Sequence, residues 1–232
     1  MGADPGWGLS TLSVHGAGAG DEGPSPSTPT TPPIHQTSVY TFPDLASLDA
    51  VQDGTVQGYM YGRYGLPNHT ALERAVAALE GAEAALACAS GMGAIAAALL
   101  AALSGGGKVA AARELYGGTY GLLEELGRFG VGTTWVDAGN LAEVEAALQE
   151  GCQLLLVETL SNPLVRVADL PALAAAAHLA GALFLVDNTF ATPCLCRPLG
   201  HGADAVVHSA TKFLGGHSDL TAGVLVGTAR FI

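Results

Sequence analysis

Charged residues are scarce in this sequence, and basic residues are the scarcest among them. Asp, Glu, Lys and Arg make up 13% of the 232 residues, against about 25% in an average soluble domain. Nine Lys and Arg oppose 21 Asp and Glu, which gives a formal net charge of −12. Because such a charge repels nucleic-acid phosphates and anionic lipid surfaces, we expect neither a nucleic acid nor a membrane as a partner.

Cysteine is sparse as well. Cys88, Cys152, Cys194 and Cys196 are the four cysteines of the chain, and this number is too small for a disulfide scaffold in a protein of this length. The first ten residues contain no Lys or Arg that would begin a signal peptide. These two absences predict a cytoplasmic protein.

Hydrophobic residues, in contrast, are abundant at 49%, which excludes a disordered or coiled-coil protein and predicts a buried core. The longest apolar stretch, Leu170 to Val186, approaches the length of a membrane span. Pro171, His178 and Gly181 interrupt it. A helix that ends at Gly181 and a strand that follows it explain the stretch better than a membrane span does.

The N-terminal segment of the chain differs from the rest in composition. Residues 1 to about 33 are rich in Gly, Pro, Ser and Thr, a composition that denies regular structure and predicts an extended arm. The prolines that carry this prediction are Pro24, Pro26, Pro29, Pro32 and Pro33.

Beyond about residue 70, helical patterns alternate with short apolar runs. The sequence predicts helices at 70–79, 92–103, 119–129, 140–150 and 171–180, and strands at 84–88, 109–112, 133–136, 153–158, 182–187, 205–209 and 221–227. Helices between short apolar strands indicate right-handed crossovers onto a mostly parallel sheet with helices on both faces. The predicted fold class is therefore α/β.

Ligands of such sheets bind at the carboxyl ends of the strands, so the polar residues that follow each apolar run are the candidates for a site. These are Ser90-Gly91-Met92-Gly93, Glu114 to Thr119, Glu158 to Pro163, Asp187-Asn188-Thr189 and Ser209-Ala210-Thr211-Lys212.

The chain contains only two lysines, Lys108 and Lys212, so a reaction that needs a lysine must use one of them. Lys108 follows three glycines and is typical of a solvated loop charge. Lys212 follows an apolar run and stands among hydroxyl groups and glycines. A lone lysine after a strand is most often a surface residue, but a lysine that forms a Schiff base needs anchors for its cofactor close by.

Such anchors stand at the neighbouring strand ends. Ser90 precedes a predicted helix, whose first N–H groups can hold a phosphate, and Ser209 and Thr211 add hydroxyl groups. Asp187 ends a predicted strand, where its carboxylate can accept a hydrogen bond from a protonated pyridine nitrogen. Together with Lys212, these residues predict a site for pyridoxal 5′-phosphate (PLP).

Longer motifs carry a family resemblance from about residue 10 to the end of the chain. They are Thr11-Leu12-Ser13-Val14-His15-Gly16, Pro32-Pro33-Ile34-His35-Gln36-Thr37-Ser38, Tyr61-Gly62-Arg63, Ser90-Gly91-Met92, Tyr116-Gly117-Gly118-Thr119, Val186-Asp187-Asn188-Thr189-Phe190-Ala191-Thr192-Pro193 and His208-Ser209-Ala210-Thr211-Lys212-Phe213-Leu214-Gly215-Gly216-His217-Ser218-Asp219. On these motifs the sequence resembles the Cys/Met-metabolism (transsulfuration) family of fold-type I PLP-dependent enzymes. That family includes cystathionine γ-synthase, cystathionine γ- and β-lyases, methionine γ-lyase and the homoserine sulfhydrylases.

The resemblance implies a role for each residue around the cofactor ring. Lys212 would hold PLP covalently and then carry a proton during catalysis. Asp187 would pair with the pyridine nitrogen. Tyr116 would stack on the ring and act as an acid or base, and Asn162 would lie near the phenolic oxygen.

The resemblance likewise implies how the phosphate is held. The phosphate ligands would be Ser90, Gly91, Met92, Ser209 and Thr211. Tyr61 and Arg63 match residues that reach the phosphate of a neighbouring subunit, which implies a homodimer or homotetramer with shared active sites. A guanidinium that binds phosphate through two parallel hydrogen bonds suits that role.

The implied domain organisation is an extended N-terminal arm at 1–60 and a PLP-binding large domain at 61–232, incomplete at its C-terminal end. The family's C-terminal small domain would be absent. Because that domain supplies the arginine that binds the substrate carboxylate, we expect little turnover from these 232 residues.

The implied activity is that of a PLP-dependent lyase or transferase with an amino-acid substrate. It would carry out γ-replacement or γ-elimination on sulfur-containing or O-acylated homoserine-type amino acids. Synthase and lyase stay open. Gly118 stands where methionine γ-lyases usually carry a cysteine, which disfavours that branch, whereas Leu66 and Leu160 depart from the family away from the chemistry. A catalytically silent PLP-binding domain or scaffold is the alternative.

Three other readings compete with this hypothesis. A dinucleotide-binding domain would need a G-x-G-x-x-G motif after its first strand, and Ser90-Gly91-Met92-Gly93 lacks that spacing. Zinc could bind to Cys194, Cys196, His201 and His208, but Cys-x-Cys in a loop is a weak signal, and we expect no metal. His217-Ser218-Asp219 cannot form a hydrolytic triad, because the three residues are contiguous.

Overall fold

The computed structural model describes residues 6–16, 29–103 and 105–232. The chain divides into two compact units, Met1–Ala78 and Leu79–Ile232. The predicted boundary between an arm and a domain at residue 60 stays a prediction. Pro24 and Pro26 of the predicted arm lie outside the described residues.

The first unit contains more helix than its composition indicated. Helix α1 spans Leu9–His15 and helix α2 spans Leu45–Gln52. The expectation that the first 33 residues lack regular structure is therefore wrong for α1, because the prolines on which it rested all follow this helix. The Asp44 carboxylate caps α2 by accepting a 2.8 Å hydrogen bond from the backbone N–H of Ser47.

Asn68 ties the proline-rich segment of the first unit to helix α3, Pro67–Glu80. Its side-chain oxygen accepts the N–H of His35, and its side-chain amide donates to the carbonyl of Pro33, both at 2.8 Å. Farther along, Val39 and Tyr61 form an isolated antiparallel bridge. Two side-chain hydrogen bonds and a single bridge thus hold this extended segment in place.

The second unit is built on a seven-stranded sheet. Its strands are β1 Ala84–Cys88, β2 Lys108–Ala112, β3 Gly132–Val136, β4 Leu154–Glu158, β5 Leu183–Asp187, β6 Ala205–His208 and β7 Gly223–Gly227, in the spatial order β1-β7-β6-β5-β4-β2-β3. Strands β3, β2, β4, β5 and β6 run parallel, and β7 is antiparallel to both of its neighbours. This confirms the predicted α/β fold with a mostly parallel sheet.

The helices of the second unit lie where the sequence predicted them, within a few residues. They are α4 Gly91–Ala102, α5 Gly117–Gly127, α6 Leu141–Gln149 and α7 Leu170–Leu179. The short α8 Thr192–Leu195 and a 3₁₀ turn, Pro198–His201, were not predicted. Helices α4 and α5 contact each other, as do α6 and α7. All five residues of β4 are buried, so the sheet is covered on both faces at its centre.

The apolar stretch at Leu170–Val186 becomes α7 and β5, as predicted. Pro171 lies in the first turn of α7, where its missing N–H has no helical partner to lose. Gly181 takes a positive φ of 74° after the helix, a conformation that favours glycine. Among the described residues, no helix combines the length and the apolar character that a membrane span requires.

Candidate functional site

A cavity of about 480 Å³ opens beside the carboxyl ends of β4, β5 and β6 in the second unit. The predicted site residues Ser90, Gly91, Met92, Tyr116, Asn162 and Asp187 line it, and so do Ser209, Thr211 and Lys212. Its size is in the range of small-molecule and cofactor sites. The structure therefore brings together every predicted residue that belongs to this unit.

One end of this cavity is built from small residues at the start of α4. Ser90 has extended backbone angles and caps the helix, since its Oγ accepts the N–H of Gly93 at 3.0 Å. A Cβ on Gly91 would lie 2.5 Å from the Cβ of Ser209, and a Cβ on Gly223 would lie 2.1 Å from the carbonyl oxygen of Ser90. Only glycine fits at these two positions. Ser90 accepts the N–H of Gly93, and the N–H groups of Gly91 and Met92, which precede it, can hold an anion.

Another part of the cavity is built around Asp187 at the end of β5. The N–H and the hydroxyl of Thr189 donate to Oδ1 of Asp187 at 3.0 and 2.5 Å. The same hydroxyl accepts the N–H of Ser209 at 2.8 Å. Thr189 therefore links the carboxylate to the segment that carries Lys212, a role that the sequence analysis missed.

Burial raises the pKa of Asp187 above its ordinary value, and the hydrogen bonds from Thr189 and the charge of His208 lower it in part. A buried carboxylate of this kind gains free energy when a cation lies against it. Both Thr189 hydrogen bonds reach Oδ1, so Oδ2 is the atom that a protonated ring nitrogen would meet. The residues present fit a pyridinium.

Glu158 ends β4 and pairs in register with Asp187 on β5. Its Oε1 accepts the N–H of Tyr116 at 2.6 Å and its Oε2 accepts the N–H of Asn162 at 3.0 Å. Burial raises the pKa of Glu158 to about 7, an effect that the two hydrogen bonds oppose and the charge of Asp187 reinforces. The sequence predicts Glu158 at a strand end and gives it no role. The sequence does contain a signal for such a role, because the predicted strands 153–158 and 182–187 each end in an acidic residue.

Tyr116 precedes α5 and its side chain is 50% exposed. A Cβ on Gly118 would lie 2.5 Å from Cε1 of the Tyr116 ring and 3.1 Å from the sulfur of Met92. Any side chain at position 118 would therefore displace the ring from its present place. Gly118 lets the Tyr116 ring lie close to the start of its own helix.

Lys212 lines the cavity but its side chain is exposed, so the burial expected for a Schiff-base lysine is not met by this chain alone. Thr211 also differs from its expected role. Its hydroxyl donates to the carbonyl of Ala222 at 3.2 Å and accepts the N–H of Ala222 at 3.0 Å. As a phosphate donor, the Thr211 hydroxyl would have to leave the Ala222 carbonyl.

Tyr61 and Arg63 belong to the first unit, where they form one aromatic and cationic cluster. The guanidinium carbon of Arg63 lies 5.2 Å from the ring centres of both Tyr61 and Tyr64. All three side chains are exposed. Lys108, in the second unit, donates from Nζ to the carbonyl of Glu150 at 3.2 Å and does not line the cavity.

The zinc alternative gains no support from the part of the chain that the structure describes. No group of three or more His, Cys, Asp and Glu side chains there is arranged to hold a metal. His208 instead lies fully buried against Glu80, with 2.6 Å between its Nε2 and the carboxylate. His217 contacts the carbonyl of Gly215 through its Nδ1 at 3.2 Å.

Comparison with known proteins supports the same conclusion as the geometry of the cavity. L-methionine gamma-lyase from Pseudomonas putida is 43% identical over 202 residues, which cover 87% of this chain and 51% of that protein. Cystathionine gamma-lyase from Bacillus subtilis is 41% identical over 95% of this chain and 55% of its own length. The chain thus spans about half the length of the curated relatives that it matches. Several L-methionine gamma-lyases stand among them, so the expectation that Gly118 disfavours that branch gains no support from these relatives.

A solved structure has the same fold as this chain and contains a form of the cofactor. A putative O-acetylhomoserine (thiol)-lyase from Campylobacter jejuni, which contains a pyridoxyl-lysine phosphate, superposes with a TM-score of 0.90 at 30% identity. The match covers 97% of this chain and 55% of that one. The sheet and its helices are those of the large domain of a fold-type I PLP-dependent enzyme.

The family described as Cys/Met metabolism PLP-dependent enzyme matches residues 10–231. The predicted family resemblance is confirmed over nearly the whole sequence. From its motifs, its fold and this match, the chain belongs to the Cys/Met-metabolism family of PLP-dependent enzymes.

Proposed function

We propose that this chain forms the cofactor-binding half of an enzyme that acts at the γ-carbon of sulfur-containing or O-acylated homoserine-type amino acids. The observation that carries the proposal is that one cavity collects Lys212, Asp187 and the N-terminus of α4. These are an amine that can bind an aldehyde, a carboxylate for a ring nitrogen and an anion site for a phosphate. Bound PLP supplies a ring that stabilises negative charge on the substrate α-carbon.

The chain's own residues divide the work around that ring. Lys212 would hold the cofactor through Nζ and, when its amine is free, would carry a proton between carbon atoms of the substrate. Asp187 keeps the ring nitrogen protonated. Ser90, Gly91 and Met92 hold the phosphate through the start of α4, with Ser209 beside them. Tyr116 packs on the ring, and Asn162 donates to the phenolic oxygen.

The choice between γ-replacement and γ-elimination belongs to groups that select the second reactant. A thiol that adds to the substrate gives replacement, whereas release of a 2-oxo acid and ammonia gives elimination. The relatives include enzymes named for methionine, cystathionine and O-succinylhomoserine. Because little turnover is expected from these 232 residues, the assays on these three compounds, with and without an added thiol, are made on a full-length version. Absence of turnover there would favour the alternative of a silent PLP-binding domain.

The covalent step is tested by reduction. Incubation with PLP followed by borohydride should leave a pyridoxyl group on the peptide that contains Lys212. Lys212→Ala should abolish this label, and the matched control Lys108→Ala should keep it, because Lys108 does not line the cavity. A label on Lys108, or none in the unaltered chain, would refute the proposed function.

We further propose that Tyr61 and Arg63 serve the phosphate of a second copy of the chain. The exposed guanidinium beside two tyrosine rings supports this role. Arg63→Ala should then weaken PLP retention. Mixing Arg63→Ala with Lys212→Ala protein should restore borohydride labelling of Lys212, because one hybrid site contains both intact residues. Labelling no stronger than in Arg63→Ala alone would rule out the shared site.

A further inference from the structure

Glu158 is the residue at which two loops of the cavity meet. Its side chain is 8% exposed, and its two carboxylate oxygens accept from two different segments. Oε1 binds the N–H of Tyr116, 42 residues earlier in the chain, and Oε2 binds the N–H of Asn162, four residues later. One carboxylate therefore joins the segment before α5 to the segment after β4.

We propose that Glu158 is a positioning residue, which holds Tyr116 and Asn162 at a fixed separation so that both meet a bound PLP ring together. This inference rests on the proposed function, in which Tyr116 packs on the ring and Asn162 reaches the phenolic oxygen. Tyr116 itself makes no side-chain cap on α5. The Glu158 carboxylate instead accepts the backbone N–H of Tyr116. It also adds a negative charge at the positive end of the helix.

The charge of Glu158 is costly where it stands, which argues against a purely stabilising role. Asp187 lies beside it in the sheet register, and burial holds the pKa of Glu158 near 7. Arg113 and Arg166 line a neighbouring cavity with it, but they pair with Glu143 and Glu114. Costly charged groups that face a ligand cavity are typical of functional sites.

The two hydrogen bonds also explain why the residue is a glutamate. A carboxylate offers two acceptor oxygens and no donor, whereas a glutamine offers one oxygen and an NH₂ group. Glu158→Gln keeps the volume and loses one of the two contacts. Glu158→Ala loses both. Glu143→Gln is the matched control, because it removes the same charge from a carboxylate that binds Arg113 on the surface.

The first experiment titrates each protein with PLP and records affinity and the circular dichroism of the bound cofactor in the visible range. Glu158→Gln should weaken PLP affinity about tenfold, and Glu158→Ala should weaken it further. Both should reduce the visible dichroism per bound cofactor, because the ring loses its fixed orientation. Glu143→Gln should match the unaltered chain. A role limited to stability would leave the dichroism per bound cofactor unchanged, and that result would overturn the proposal.

The second experiment needs no cofactor. The chain has six tyrosines, so ¹⁵N-tyrosine labelling gives a short amide spectrum in which Tyr116→Phe identifies the Tyr116 signal. That amide should resonate far downfield, shift upfield in Glu158→Gln and stay in place in Glu143→Gln. An unchanged Tyr116 signal in Glu158→Gln overturns the inference. Absence of borohydride labelling in the unaltered chain would instead refute the proposed function, so the two failures are distinguishable.

Discussion

Two parts of the cofactor cavity, which we call its α4 end and its sheet end, are built by different means. At the α4 end, Gly91 and Gly223 let backbone segments approach until no Cβ would fit between them. At the sheet end, Glu158 and Asp187 place two acids side by side in a buried region. The first end is defined by steric fit and backbone N–H groups, and the second by charge. We therefore expect the α4 end to stabilise the empty protein and the sheet end to destabilise it until a cation binds.

Gly223→Ala should have the largest effect on stability, because it disrupts the close backbone packing at the α4 end. Its Cβ would lie 2.1 Å from the Ser90 carbonyl oxygen and 2.8 Å from the Gly91 nitrogen, which are backbone atoms that cannot rotate away. We expect a loss of about 3 kcal/mol or more in the free energy of unfolding, together with weaker PLP binding. Urea denaturation measures the first effect and PLP titration the second.

Gly93→Ala is the control for that change. Its Cβ would meet the Ser90 Oγ at 3.4 Å and the Cys88 Cβ at 3.7 Å, which are ordinary contacts. This variant should be as stable as the unaltered chain or slightly more stable, since alanine favours a helix by about 1 kcal/mol over glycine. If both variants lose stability equally, close backbone packing is not what defines the α4 end.

The pH dependence of stability tests the charged end. The pKa of Glu158 is about 7 in the folded chain, against 4.5 for an ordinary glutamate. Between these values the folded state holds the proton that the unfolded state has lost, so stability falls as pH rises from about 4.5 to about 7. The expected loss through Glu158 is about 3 kcal/mol.

The measurement is a series of urea midpoints between pH 4.5 and 8 for the unaltered chain and Glu158→Gln. The variant should show a flatter profile, because its amide does not titrate. Asp187 adds a loss of the same sign in both proteins, since burial raises its pKa too. Parallel profiles would show that Glu158 is not the group responsible.

Asp187→Asn should separate stability from cofactor binding. The asparagine oxygen can still accept both hydrogen bonds from Thr189, so the local shape is kept while the buried charge is removed. We expect greater stability than the unaltered chain at pH 8 and PLP affinity weaker by about 10- to 100-fold, which is the value of a charge-assisted hydrogen bond. Urea midpoints and PLP titration give the two quantities. Equal affinity for PLP in both proteins would show that the ring nitrogen does not meet Asp187.

Ser90→Ala should have the smallest effect, at the α4 end. It removes the side-chain acceptor for the Gly93 N–H, which costs about 1 kcal/mol of stability for a helix cap. Asn140→Ala removes the cap of α6, away from the cavity. Both variants should lose stability in urea, but only Ser90→Ala should weaken PLP binding. Equal PLP affinity would limit Ser90 to its capping role.

Most of the fold was predictable because the signals are local. The predicted helix 140–150 is α6 at Leu141–Gln149, and the predicted strand 84–88 is β1. The spacing of apolar residues and the glycines and prolines that end each element lie within consecutive residues. Such elements can therefore be predicted without knowing which segments pack against them. Helix α1 was not predicted, because a composition averaged over 33 residues hides the seven residues Leu9–His15 among many Gly, Pro, Ser and Thr.

The site was predictable in its members and less so in its contacts. Lys212 stood out because the chain contains so few lysines, and Asp187 because it ends a strand. The hydroxyl of Thr211, by contrast, is committed to Ala222. A hydroxyl can donate to any acceptor within reach, and the identity of that acceptor depends on how two loops pack. No spacing in the sequence encodes that choice.

The sequence by itself determined the α/β fold class, the order of the main helices and strands beyond about residue 70 and the family, since all three follow from residues that are consecutive or from motifs of fixed spacing. Only the tertiary structure decided that Glu158 lies beside Asp187, that it binds both Tyr116 and Asn162, and that Thr189 links Asp187 to Ser209. Those contacts join residues from different strands and loops. They depend on strand order and register, which are set by the packing of the whole sheet rather than by any one segment.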